Sequence, residues 1–244
     1  MRRFAFAASL CALGALASCG DAREVAVAPP RASAVPANAP PANPAPASAP
    51  APVAQQASTQ PVLDCFAAYR QSLLDQDGPR AASLVSDGTV ALYQSLRDVA
   101  LVGSEADVRA LRLVDRLQVL LLRVRVPAAQ LGTMDGRALF AHTVTQNWIG
   151  KAGIQRASLG AIELAPPRAV AVVLAAGAPT GERYHFEERG GAWRFDLLPS
   201  VEFVDQVLRT QRDKLAVSED QLLLSAIETL TGNKPDASIW KPLR

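Results

Sequence analysis

Arg183-Tyr184-His185-Phe186-Glu187-Glu188-Arg189-Gly190-Gly191-Ala192-Trp193-Arg194-Phe195-Asp196-Leu197-Leu198 is the stretch that decides the fold. Alternating apolar and polar residues flank Gly190-Gly191, and a glycine pair between two such runs signals a two-residue hairpin. With that pair at the tip, Phe186 faces Phe195, Tyr184 faces Leu197, and Trp193 lies on the same side opposite Glu188. The other face then sets His185 against Asp196 and Glu187 against Arg194. The aromatic side is the one expected to be buried.

Working back from the hairpin, Ala157 to Leu164 and Arg168 to Ala175 read as two further strands, beside Arg183 to Glu188 and Ala192 to Leu198. Pro166-Pro167 and the stretch Gly177 to Gly181 break the runs. Before the strands the period changes to three and four. Val62, Cys65, Phe66, Tyr69 and Leu73 form a helical stripe that Gly78-Pro79 is expected to end. Gly88 to Leu101 follows a similar pattern. Ser104 with Asp107 resembles a capping box, after which Val108 to Val124 reads as the longest helix, and Pro127 opens another helical stretch to about Asn147. After the strands, Val201 to Leu215 is helical, and Ser218 with Gln221 resembles a second box before Leu222 to Leu230. Gly232 is placed to end that helix. The fold class is therefore α+β, with N-terminal helices, a four-stranded antiparallel meander and C-terminal helices. The globular domain is read as residues 62–232, with 233–244 as a C-terminal tail.

The first residues carry an address. Arg2 and Arg3 precede an apolar stretch from Phe4 to Ala17, shorter than the ~20 residues of a spanning helix. Leu16-Ala17-Ser18-Cys19 resembles the lipobox of bacterial lipoproteins. That resemblance implies a signal peptide over residues 1–18, a diacylglyceryl group on the Cys19 thiol, and a new acylated N-terminus at Cys19. The acyl chains would be the contact with the lipid bilayer, since two or three of them hold a protein stably. Gly20 stands where an aspartate would mark inner-membrane retention, with Asp21 next. The periplasmic face of the outer membrane is thus the expected location, and the inner membrane stays open. From Val25 to Pro61 the chain is mostly Ala, Pro and small polar residues, so residues 19–61 read as a lipidated tether. Extended at ~3.1 Å per residue, it reaches on the order of 100 Å.

Charge and composition exclude more than they name. The 25 Lys and Arg stand against 23 Asp and Glu, and loss of Arg2 and Arg3 with the signal leaves a mature net charge of zero. Nucleic-acid binding, which needs a clustered positive field, is not expected. Two histidines and three cysteines argue against a metal site or a disulfide scaffold. There is no Gly-rich phosphate loop, Gly-x-Ser-x-Gly elbow or His-Glu-x-x-His helix, so no cofactor is expected.

The side chains left for chemistry are few. His185 and Asp196 are the candidate base and orienting carboxylate, against the reading of complementary charges on a wet sheet face. His142, in Phe140-Ala141-His142-Thr143, lacks the partners of a metal ligand, and Cys65 on its apolar stripe reads as a buried thiol. Arg109, Arg112, Arg116 and Arg123 line one side of the expected long helix. They form either a docking stripe for phosphate head groups or an acidic partner, or, as expected, a solvated face.

Helices followed by a meander ending in Gly190-Gly191-Ala192-Trp193-Arg194-Phe195-Asp196-Leu197 resemble the α+β cone fold of nuclear-transport-factor-2-like proteins, over Val62 to Arg209. That resemblance implies a fold shared by ketosteroid-isomerase-like and polyketide-cyclase-like enzymes and by many lipoproteins. This chain departs from the enzymes in having more helix before the sheet and no evident acid–base set on the aromatic face. The expectation is a non-catalytic envelope lipoprotein that binds a partner protein or a small apolar ligand. The alternatives are a cone-fold enzyme acting on a small apolar substrate, and an immunity-type lipoprotein that neutralises a toxin.

Overall fold

The computed structural model describes residues 58–149 and 151–244. The signal, Cys19 and nearly all of the tether lie outside the described residues. Among the described residues, eight helices precede the sheet: α1 (Gln60–Leu74), α2 (Gly78–Ser83), α3 (Asp87–Val102), α4 (Glu105–Ala110), α5 (Leu113–Arg125), α6 (Ala128–Thr133), α7 (Gly136–Thr145) and α8 (Lys151–Arg156). Strands β1 (Ala157–Ala165), β2 (Arg168–Ala175), β3 (Ala178–Arg189) and β4 (Ala192–Asp196) form an antiparallel meander in chain order. Helices α9 (Leu198–Leu215) and α10 (Glu219–Thr231) follow. The architecture is α+β.

The hairpin forms in the expected register: His185 opposite Asp196, Phe186 opposite Phe195, Glu187 opposite Arg194 and Glu188 opposite Trp193. Gly190 and Gly191 both take positive φ (57° and 76°), the requirement of the mirror-image turn whose twist matches the strands. Phe186 and Phe195 are almost wholly buried, so the aromatic side is the inner one. The β4 edge is closed by the α2–α3 link: Phe195 N–H donates to Leu84 O (2.8 Å) and Ser86 N–H to Phe195 O (2.9 Å).

One break is misplaced by the sequence reading. The β2–β3 turn is Ala176-Gly177, and β3 begins at Ala178 rather than Arg183. Gly181, at φ 83°, sits inside β3 where the β2–β3 register shifts. It is a bulge glycine rather than a turn residue.

The helical layer departs further from local expectation. Gly78-Pro79 does not end α1, which stops at Leu74 ahead of Gln76 at positive φ (58°); it opens α2, capped by Asp77, whose side chain accepts from Arg80 N–H. The Ser104–Asp107 capping box is present, yet it heads the six-residue α4 rather than a long helix. The chain runs extended through Leu111 and Arg112 before α5 begins. Asp205 of α9 accepts from Val114 N–H (3.0 Å), so the cap of α5 arrives from 91 residues away. The stretch from Pro127 likewise divides, into α6 and α7. The residues read as a tail fold back: Ile239 and Trp240 are buried in a 3₁₀ turn, and Arg244 N–H donates to Leu101 O (3.0 Å).

The four arginines form neither a solvated face nor a stripe, because α4 and α5 are separate. Arg109 pairs with Glu105 and Asp220 and stacks over Trp240 (4.2 Å). Arg112 pairs with Asp115 and Glu202, and the buried Arg116 pairs with Glu219. Arg123 is only 8 % exposed and donates to the carbonyls of Val99, Ala100, Gly103 and Ile239. It satisfies the last turn of α3, where helix carbonyls lack partners of their own.

Candidate functional site

A cavity of about 370 Å³ lies between the helices and the inner face of the sheet. That volume falls within the ~300–1,000 Å³ of ordinary ligand pockets. Its walls come from α1 (Tyr69, Leu73), α3 (Tyr93), α5 (Leu121, Leu122), the α7–α8 region (Trp148, Ile154), β2 (Val173), β3 (Tyr184) and β4 (Phe195), with α9 adding Val201 and Val204. The walls exist because neither layer is flat. Bulges between Leu159 and Ile162 and between Val172 and Leu174 disturb the ladder and bend the strands.

Aromatic packing stiffens the sheet side. Phe195 stacks on Tyr69 (4.6 Å between centroids) and meets Tyr184 (4.9 Å) and Phe186 (5.3 Å) near edge-on. Such pairs add ~0.5–1.5 kcal/mol beyond area burial. On the helical side, the Arg125 guanidinium lies over Trp148 (5.1 Å) and donates to Leu230 O (2.7 Å). His142 meets the same indole edge-on at 5.3 Å, and burial pushes its imidazole pKa down.

One acidic corner stands out in a lining whose other polar members include Gln118, Arg125, Thr143, Asn147 and Arg156. Glu182, Tyr184 and Phe186 alternate along the inner face of β3, and Glu182 is 7 % exposed. Its backbone N–H donates to Thr180 Oγ1 (3.2 Å), which itself donates to Val173 O (3.1 Å), so the bulge is internally hydrogen-bonded. Burial raises the Glu182 carboxyl above the usual range, and the Ser200 hydroxyl beside it offsets part of the rise. The Ser200 hydroxyl, also buried, completes no hydrogen bond of satisfactory geometry. No Lys, Arg or His pairs with Glu182 among the described residues.

The residues singled out in the sequence fall elsewhere. His185 and Asp196 are opposite each other, as expected, but neither lines the cavity. Asp196 accepts from Ser86 Oγ (3.1 Å) and from Leu198 N–H (3.2 Å), so its carboxylate organises the chain around β4. Burial pushes the His185 imidazole down against the opposing pull of Asp196. Cys65 is buried, its thiol donates to Trp193 O (3.3 Å), and burial pushes it up to about 11. Among the described residues, no group of three His, Cys, Asp or Glu is placed to hold a metal, and no helix is long and apolar enough to cross a membrane.

Glu182 escapes the sequence expectation because that expectation starts the strand at Arg183, five residues after its true start at Ala178. The signal was present: alternation through Phe186 and Tyr184 puts position 182 on the inner face.

No protein-family model, curated protein or solved structure matches this chain. The site therefore stands on its own geometry.

Proposed function

We propose that this chain is a lipid-anchored protein of the bacterial envelope that holds a small, largely apolar molecule between its helices and its sheet. The 370 Å³ cavity carries the reading. A well-packed domain leaves few voids larger than a water molecule, so a largely apolar space of this size lined by a few polar groups is a binding feature rather than a packing fault. The Leu16-Ala17-Ser18-Cys19 motif supports anchoring through acylated Cys19 at the periplasmic face of the outer membrane. The Pro/Ala tether supports a domain that ranges away from the bilayer without leaving it. His185 and Asp196 lie off the cavity, which favours binding over a catalytic role for that pair.

The test is titration of the purified mature protein with an uncharged solvatochromic dye, Nile red. Saturable one-to-one binding with a blue-shifted emission is expected. Val204→Trp, which fills the cavity from α9, should weaken it about tenfold or more, an energy of 1.4 kcal/mol or above. Val102→Trp, at an exposed position, should leave it unchanged. Absence of saturable binding, or equal binding by both variants, refutes the assignment.

A further inference from the structure

The inner face of β3 is a row of side chains turned toward the apolar interior, and Glu182 is its one buried carboxylate. A carboxyl group in such a place ordinarily has a cation or several donors facing it, because an unpaired buried charge is expensive. Among the described residues no Lys, Arg or His forms an ion pair with Glu182. From α9 comes Ser200, whose hydroxyl is itself buried and unsatisfied. The cations of the cavity wall are Arg125 of α5 and Arg156 of α8. Arg125 is held by Leu230 O and the Trp148 ring, and Arg156 is exposed. The other polar wall residues, Gln118, Thr143, Asn147 and Thr180, carry no charge, and the rest of the wall is apolar or aromatic. The cavity thus has one acidic corner with no ion-pair partner, a buried hydroxyl beside it and largely apolar walls around it.

We propose that the cavity takes an apolar molecule carrying one aliphatic amine, its ammonium seated between the Glu182 carboxylate and the Ser200 hydroxyl. This rests on the pocket-binding reading and specifies its ligand class. An ammonium has three donors and no acceptor, so it satisfies both groups at once, and its charge-assisted hydrogen bonds are the stronger kind. A fatty acid would place a second carboxylate against Glu182 and be rejected by like-charge repulsion. An alcohol would satisfy the hydrogen bonds but leave the charge unpaired.

The experiment displaces Nile red from the mature protein with octylamine, octanol and octanoate, which share a chain length and differ in head group. Octylamine should displace the dye at a concentration about tenfold lower than octanol, equivalent to 1.4 kcal/mol, with octanoate weakest. Glu182→Gln, which keeps the shape and removes the charge, should erase the amine preference while Nile red still binds. Ser200→Ala should weaken octylamine and leave octanol displacement closer to wild type. If the dye binds and the three head groups compete equally, or octanoate competes best, the amine assignment is overturned and the pocket reading survives. A preference for octylamine that persists in Glu182→Gln also overturns it. If Nile red does not bind wild type, the pocket reading itself fails.

Discussion

Replacing Asp205 should unlock the start of α5, and the structure sets the size of the effect. Its carboxylate accepts from the buried Val114 N–H (3.0 Å) and pairs with Arg209 Nε (2.7 Å). Loss of a capping carboxylate costs ~0.5–2 kcal/mol, and the buried donor places Asp205→Ala in the upper part of that range. The Arg209 guanidinium is nearly half exposed, so its share is under ~1 kcal/mol after solvent screening. A small term runs the other way, because Asp205 raises the nearby Asp115 carboxyl, and removing it relieves that repulsion. The net is about 2 kcal/mol. At ~2–4 °C per kcal/mol for a domain of this size, thermal unfolding followed by circular dichroism at pH 7 should fall by ~4–8 °C. Asp205→Asn, which retains an acceptor, should lose less. Burial raises the Asp205 carboxyl, but donation from Arg209 and from the Val114 and Leu113 N–H groups outweighs it, leaving the folded pKa below its ordinary value. A depressed folded pKa contributes stability that is present above the unfolded pKa of ~3.9 and lost as pH falls through the folded one. The gap between wild type and Asp205→Asn should therefore be constant above about pH 4 and close below it. An unchanged melting temperature in Asp205→Ala, or a gap indifferent to acid, refutes the assignment of Asp205 as the α5 cap.

Three further outcomes follow from other parts of the molecule. A Cβ at Gly136 would sit 2.3 Å from Val90 O and 2.7 Å from Gln94 N, so Gly136→Ala must push α7 off α3 and should cost ~1–3 kcal/mol in the same melt. Gly88→Ala meets only the end of the Leu198 side chain at 3.0 Å and should stay close to wild type; equal losses would contradict this close helix crossing. With the Cys65 thiol pushed up to about 11, native mature protein at pH 8 should resist iodoacetamide and react only once unfolded, and rapid labelling of the folded state would show the thiol is accessible. Cys19→Ser should abolish incorporation of a fatty-acid label and move the protein to the soluble fraction, and an unchanged membrane fraction would refute the anchor.

What could be read locally was read well where short-range physics suffices. The β3–β4 register needs only a glycine pair and a period of two, and both capping boxes need only residues three apart. Glu182 shows the limit. Its neighbour Gly181 reads as a turn residue, because glycine permits positive φ in a turn and in a bulge alike. Only pairing with β2 distinguishes them.

The sequence by itself determined the α+β order, the hairpin and its buried face, and the lipobox-like start, since periodicity, turn chemistry and adjacency are encoded within a few residues. Tertiary structure alone decided where α4 stops and α5 starts, because the capping carboxylate comes from α9. It also decided that Arg123 is spent on buried carbonyls, and that a carboxyl and a hydroxyl meet in an apolar cavity. Each of these depends on groups far apart in the chain, whose meeting depends on how the layers pack rather than on any local preference.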